Sequence, residues 1–211
     1  RRVLPKLEEP SESQWLRTGV TTTYVSPGPQ NLAGGIGIII KLTGKIVKKT
    51  AAMSGSFGET TLNAFETPTT RQGMISILRQ TFVRAQEDAL EGDDGPIFAQ
   101  ILSGSLPFRV VVNTPDDILT ALRLADEFQL KAWIKGSGYE YRRASEIGAE
   151  SPFIILPLNF PVTPDISDPY QALSYSTSEL KHWDMAPDNP SILSDHDIAI
   201  ALTSHDLDEK E

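Results

Sequence analysis

Three histidines carry most of the chemistry that this sequence could perform near neutral pH, because the ordinary pKa of imidazole lies close to 7. His205 is followed by Asp206, and His196 stands between two aspartates at positions 195 and 197. His182 stands between a lysine and a tryptophan. A histidine beside a carboxylate has the ligand types that bind a divalent metal ion. Cysteine is absent, which excludes disulfides, thiolate metal sites and cysteine nucleophiles.

The spacing of the last two histidines argues against a shared metal ion. A strand is predicted over residues 198–202, between His196 and His205. Five strand residues at ~3.3 Å each separate the two clusters by roughly 17 Å. We interpret His196 as part of a solvated acidic turn and His182 as a surface or cap residue of a helix. His205 and Asp206 fall at the carboxyl end of a strand, where α/β folds place their chemistry.

Other catalytic motifs are missing from the sequence. The glycines of residues 34–37 lack the spacing of a dinucleotide-binding loop, and Lys45 is not followed by the serine or threonine of a phosphate loop. The Gly-x-Ser-x-Gly elbow of esterases does not occur. The residues alone therefore indicate no active site.

The pattern of elements predicts an α/β fold. Buried-type strands begin near residues 20, 108, 131, 152 and 198, and the amphipathic runs 70–90 and 114–128 predict helices. Strands and helices that alternate in this way are typical of a parallel sheet. Residues 34–52 predict a β-hairpin, because two β-rich runs flank a Thr-Gly pair. The small, polar residues 53–67 are interpreted as a loop.

Composition and charge restrict the classes of partner. The 211 residues carry 28 acidic and 19 basic side chains, a net charge of −9. A negative field of this size disfavours nucleic acid and anionic membrane surfaces, so neither is expected as a partner. The longest apolar run, near residues 36–40, is far shorter than the ~20 residues of a membrane helix.

Four segments of the chain form an ordered set: residues 19–42 (GVTTTYVSPGPQNLAGGIGIIIKL), 68–73 (PTTRQG), 116–128 (DDILTALRLADEF) and 200–204 (IALTS). In this order they resemble the imidazolonepropionase-like branch of the amidohydrolase superfamily. The resemblance implies an incomplete TIM-type (β/α)₈ barrel, mostly parallel with an inserted hairpin. It also implies kinship to hydrolases of amide and cyclic-amide C–N bonds that use zinc or another divalent ion.

The ligand positions of that family do not carry its metal ligands in this chain. The resemblance places the family's lysine near Thr61, its two later histidines at Val111 and Gly136, and its final aspartate at His205, next to Asp206. The first-strand His-x-His would precede Arg1. We therefore expect no catalytic metal and no other cofactor in this chain, and interpret it as an amidohydrolase-like domain without catalysis. The alternative is a scaffold or binding module derived from the same fold.

The remaining expectations concern organisation and binding. Residues 1–211 are predicted to form one barrel domain, a fragment without the first strand and the C-terminal helices. Its open edge, beside residues 19–25, is expected to be covered by a second copy or by a missing domain. Localisation stays open between an exported and a cytoplasmic protein. A small-molecule pocket is predicted at the carboxyl ends of the strands, from the following polar residues: Asn113, Ser137, Tyr139, Asn159, Ser204, His205 and Asp206.

Overall fold

The computed structural model describes residues 16–17, 19–58, 61, 68–92, 94–150 and 152–204. Packing divides the chain into two compact units. The first comprises the chain up to Val111 together with Arg123–Ala132, and the second comprises Val112–Leu122 together with the chain from Trp133 onward.

The first unit contains four strands and two helices in addition to its part of a third helix. The strands are β1 (Thr22–Val25), β2 (Gly35–Lys41), β3 (Ile46–Ser56) and β4 (Phe108–Val111), and the helices are α1 (Arg71–Gln86) and α2 (Asp94–Leu102). β1 pairs antiparallel with β2, and β2 pairs antiparallel with β3. β3 then pairs parallel with β4, Met53 opposite Phe108 and Ser56 opposite Val111.

Two sequence-based expectations about this unit are wrong. β1 is an antiparallel, half-buried strand rather than a buried parallel one. Residues 53–56, expected to be a loop, instead form the buried second half of β3 and pair with β4. Their small side chains suit a crowded sheet: a Cβ at Gly55 would collide with the carbonyl oxygen of Leu32. Small residues that resemble a loop in sequence can therefore form a strand where backbones pack closely.

An aromatic cluster forms the core of the first unit. Thr70 caps α1 by accepting a hydrogen bond from the backbone N–H of Gly73 at 3.0 Å. Phe82 of α1 is fully buried, and the centroids of the three rings around it lie 5.1–5.8 Å from its own. Those rings belong to Phe98, Phe108 and Phe128. Edge-on and tilted ring pairs of this kind add to the stabilisation that burial alone provides.

The second unit contains three parallel strands and short helices. The strands are β5 (Ala132–Lys135), β6 (Phe153–Pro157) and β7 (Ala199–Thr203), and the first residue of β5 belongs to the first unit. β5 pairs parallel with β6, and β6 pairs parallel with β7. The helices are α3 (Pro115–Glu127), which contributes residues to both units, and α4 (Ala144–Gly148), α5 (Pro169–Ala172), α6 (Thr177–Met185) and α7 (Asn189–Asp195). A 3₁₀ turn over Glu140–Arg143 precedes α4.

The helix α7 has a proline in its first turn. Asn189 and Pro190 are its first two residues, and proline is well suited to a first helical turn because its missing N–H is not needed there. Within the described residues, no helix is both long and apolar enough to cross a membrane.

Candidate functional site

The residues that follow β5 enclose a buried carboxylate. Glu140 is completely buried, and its Oε1 accepts hydrogen bonds from the backbone N–H of Ser137 at 2.5 Å and from the Ser137 hydroxyl at 3.2 Å. The N–H of Gly138 lies 3.1 and 3.0 Å from the two carboxylate oxygens. Gly138 adopts a φ of +90°, which turns its N–H toward the carboxylate and favours glycine at this position. Successive backbone N–H groups of this kind form a concave site for an anion, which here is the chain's own side chain.

Asn189, the first residue of α7, completes the hydrogen bonding of Glu140. Its Nδ2 donates to Glu140 Oε2 at 2.8 Å and to the carbonyl oxygen of Gly138 at 3.3 Å. Because Glu140 Oε2 and the Gly138 carbonyl oxygen are both acceptors, the amide atom that faces them is the nitrogen. The opposite atom, Oδ1, is buried and has no hydrogen-bond partner in the described part of the chain. A buried acceptor without a partner is costly, so a donor from water or a ligand is expected there.

His182, on α6, packs between two tyrosines. Its ring stacks on Tyr139 with centroids 3.6 Å apart and lies nearly parallel to Tyr141 at 6.0 Å. The guanidinium of Arg142 lies over the Tyr139 ring, 4.7 Å from its centroid. Burial lowers the pKa of His182 below its ordinary value, and the positive charge of Arg142 lowers it further, whereas Glu140 partly raises it. The imidazole is therefore neutral at pH 7.

The Tyr141 hydroxyl contacts one nitrogen of this neutral ring. The Tyr141 hydroxyl accepts from Nε of Arg142 at 3.2 Å, and His182 Nδ1 lies 3.4 Å from the same oxygen. When the tyrosine donates its hydrogen to Nδ1, Nε2 carries the proton; because a hydroxyl oxygen has two lone pairs, it can equally accept from a protonated Nδ1. In either tautomer one ring nitrogen of His182 contacts Tyr141.

A shallow cleft joins these groups at the carboxyl ends of the parallel strands. Its volume is about 10 Å³, close to the space of one water molecule. Its apolar wall consists of side chains at the end of β6, just after β6 and in β7. Beside this wall lie His182 of α6 and the first two residues of α7, Asn189 and Pro190. The lining residues are Gly138, Leu156, Pro157, Leu158, Asn159, Phe160, His182, Ala186, Asn189, Pro190 and Leu202.

The structure brings three of the predicted pocket residues to this cleft. Asn159 lines it, Tyr139 stacks on its histidine, and Ser137 binds its buried carboxylate. Asn113 and Ser204 are exposed and do not line it. His205 and Asp206, also predicted at the pocket, lie outside the described residues.

Sequence reasoning missed the buried carboxylate of Glu140 and two residues that line the cleft, Asn189 and His182. A glycine-rich strand end followed closely by an acid was the available signal for Glu140. Asn189 stands next to Pro190 and carries no sequence signal of its own. His182 is separated from Tyr139 and Tyr141 by about 40 positions, so no local pattern could show that they stack.

The residues at the metal positions implied by the family resemblance do not fit a metal ion. The Thr61 hydroxyl lies 3.3 Å from the carbonyl oxygens of Pro29 and Ser56, and Val111 is a buried aliphatic side chain. A Cβ at Gly136 would collide with the carboxylate of Glu140. Among the described residues, no group of three or more histidine, aspartate or glutamate side chains could hold a metal ion. A catalytic ion needs at least three protein ligands.

Comparison with known proteins identifies the fold. No family model matches the chain. No curated protein matches it either. The structure is similar to the crystal structure of an amidohydrolase from Thermotoga maritima MSB8, with a TM-score of 0.75 and 24% sequence identity over 94% of this chain. The match covers 54% of the amidohydrolase chain, so the present chain spans about half the length of that protein. The predicted fold class is confirmed: the chain has an amidohydrolase-like α/β fold, mostly parallel, of the incomplete TIM-barrel type.

Proposed function

We propose that this chain is an amidohydrolase-like domain that binds a small molecule and does not hydrolyse C–N bonds through a metal ion. The observation that carries the proposal is the position of the Glu140 carboxylate. It occupies the space of a side chain at Gly136, where the resemblance would require a histidine ligand.

The hydrogen bonds of Glu140 support this interpretation. Its two oxygens already accept from the N–H groups of Ser137 and Gly138, the Ser137 hydroxyl and Asn189. These donors stabilise the carboxylate in its present position, and a move toward a metal ion would break their hydrogen bonds. A histidine at position 136 could not be accommodated without displacing it.

We further propose that the domain descends from the imidazolonepropionase-like branch of the superfamily. The ordered phrases at residues 19–42, 68–73, 116–128 and 200–204 support this assignment, which is finer than the amidohydrolase-like fold. Under this proposal the chain keeps the sheet of that branch while the metal positions carry other residues.

The cleft supplies the binding function. Asn189 Oδ1 has no hydrogen-bond partner among the described residues and His182 lines the cleft with its imidazole, while Leu156, Leu158 and Phe160 supply an apolar wall. A small neutral molecule with a donor next to an acceptor suits this set. A charged ligand would lose its hydration against an apolar wall without an opposite charge, at a cost of several kcal/mol.

A second candidate function is that of an interaction module. Val162, Tyr170 and Leu173 are each more than 80% exposed, and Leu202 on β7 is 57% exposed. Exposed apolar side chains in such numbers are typical of surfaces that bind another protein, such as a second copy of the chain. The triple variant Val162→Ser, Tyr170→Ser and Leu173→Ser should then be a monomer in analytical ultracentrifugation, whereas wild type should be a dimer. A wild-type monomer would contradict this function.

Metal analysis tests the loss of catalysis directly. The dialysed protein should hold far less than one zinc or manganese ion per chain, and amide and lactam substrates should not be hydrolysed when these ions are added back. Stoichiometric metal, with hydrolysis that a chelator abolishes, would overturn the proposal.

Ligand binding is tested with acetamide and formamide as neutral probes, followed by NMR shifts of the side-chain amides and the His182 ring. Asn189→Leu and His182→Phe should each weaken probe binding at least tenfold. Asn113→Ala is the matched control, because Asn113 was predicted at the pocket yet does not line the cleft. Equal affinities in all variants would place the probes elsewhere.

A further inference from the structure

Arg109, in the first unit, is a half-buried cation that has no carboxylate partner among the residues that the structure describes. It lies on β4 next to Phe108, whose ring packs edge-on against Phe82 of α1 at 5.8 Å. Because neighbouring residues of a strand point to opposite faces, Arg109 lies on the face of the sheet away from α1. Its nearest neighbours there are Ser54 on β3, Ser26 after β1 and Tyr24 on β1.

All three neighbours are neutral. Arg109 Nη1 donates to the hydroxyl oxygens of Ser54 at 3.1 Å and Ser26 at 3.4 Å, and its guanidinium carbon lies 5.5 Å from the centroid of the Tyr24 ring. Burial raises the pKa of Tyr24, although Arg109 and Ser26 act in the opposite direction, so the phenol remains protonated at neutral pH. Arg109 forms no ion pair with any residue that the structure describes.

The guanidinium has unused donors. Nε is buried and makes no hydrogen bond within the described residues. Ser54 accepts from Nη1 through its oxygen, and a hydroxyl that accepts a hydrogen bond also has a hydrogen to donate. Arg109 and Ser26 are only half-buried, so a small ion can approach the guanidinium from solvent.

An enclosed charge of this kind is unfavourable on its own. Arginine does not lose its proton at physiological pH, so it cannot escape the cost of desolvation by becoming neutral. Burial lowers the pKa of Arg109, the direction that desolvation without an acidic partner produces. Buried charges in proteins are normally paired, because an ion that has lost part of its hydration is stabilised by an opposite charge.

We propose that Arg109, with Ser54 and Ser26 beside it, forms a binding site for a small monovalent carboxylate. The planar fork of a guanidinium matches the two oxygens of a carboxylate, and the Ser54 hydroxyl is placed to donate a further hydrogen bond. A single positive charge compensates one negative charge, whereas a phosphate dianion would leave an excess negative charge within a chain that already carries −9. This site is independent of the function proposed for the cleft, since it uses residues of the other unit only.

The test uses the full chain and formate and acetate as probes, at constant ionic strength balanced with chloride. Both carboxylates should bind saturably by calorimetry and raise the unfolding midpoint. Arg109→Met should weaken binding at least tenfold. Arg109→Lys should weaken it less, because lysine keeps the positive charge but lacks the paired N–H donors of the guanidinium. Arg84→Met is the matched control: Arg84 is an exposed arginine of α1, and this variant should bind formate within twofold of wild type.

Three results would overturn the proposal. Formate could bind Arg109→Met as tightly as wild type, or phosphate could bind wild type more tightly than formate and acetate do. Arg109→Met could also unfold much more easily than wild type while no carboxylate binds wild type. That last outcome would mean that one of the chain's own acids pairs with Arg109. If Arg109→Met fails to fold, Arg109→Lys provides the same comparison with the charge retained.

Discussion

Replacing Glu140 by glutamine tests the buried carboxylate at the centre of the candidate site. The substitution keeps the shape of the side chain but converts one acceptor oxygen into an NH₂ donor. If Oε1 is retained, the new NH₂ group faces Nδ2 of Asn189, which is now 2.8 Å from Oε2. Turning the Asn189 amide over does not restore the pairing, because its oxygen would then face the carbonyl oxygen of Gly138.

The magnitude follows from the hydrogen bonds that change. One bond to a charged acceptor is lost, at about 1.5–3 kcal/mol, and a buried donor is left unsatisfied, at about 1–3 kcal/mol. Part of this cost is recovered by relaxation, so Glu140→Gln should lower the free energy of unfolding by about 2–4 kcal/mol. Glu140→Ala removes the acceptor of the Ser137 and Gly138 N–H groups and leaves Asn189 Nδ2 only its bond to the Gly138 carbonyl, so it should cost about 3–5 kcal/mol.

Urea denaturation followed by circular dichroism measures this free energy. Glu150→Gln is the control, since Glu150 is an exposed glutamate near the end of the same helical segment and its change should stay within about 0.5 kcal/mol. A loss below about 1 kcal/mol for Glu140→Gln would refute the reasoning, because it would show that the donors around Glu140 are satisfied without its charge.

Three further predictions use the same unfolding assay. Gly136→Ala should destabilise by about 1–3 kcal/mol because its Cβ collides with Glu140, and the cost should shrink in a Glu140→Ala background; strictly additive losses would contradict the collision. Since burial lowers the folded-state pKa of His182, the unfolded chain binds the proton more readily, and stability should fall as pH drops below about 6.5. His182→Gln should lose less stability than wild type over the same pH range, and an unchanged dependence of stability on pH would contradict the role of His182. Phe82→Ala should cost about 3–5 kcal/mol because it removes the fully buried centre of the aromatic cluster; a cost near 1 kcal/mol would mean that the neighbouring rings close the cavity.

The parallel strands of the second unit were predictable because their signal is local. Residues near 131, 152 and 198 are apolar runs between helical patterns, and β5, β6 and β7 form there. β3 was only half predicted. Its first half belongs to a hairpin with a visible Thr-Gly turn, but residues 53–56 are too small and polar to indicate burial without their neighbours.

The candidate site was predictable only in its position. The rule that chemistry lies at the carboxyl ends of parallel strands led to Ser137, Tyr139 and Asn159, which the structure places in or beside the cleft. It could not reveal that Glu140 binds the backbone of Ser137 and Gly138, because that contact depends on the positive φ of a single glycine.

The sequence by itself determined the α/β class, the acidic charge and the absence of the family's ligand types from positions 61, 111 and 136, because these are properties of residue identity and local pattern. Only the tertiary structure decided where the polar groups meet. Asn189 reaches Glu140 across 49 positions, and Arg109 reaches Ser54 across 55. Contacts over such separations arise when strands and helices pack, so the partners of a buried charge, or the lack of one, become visible only in the folded chain.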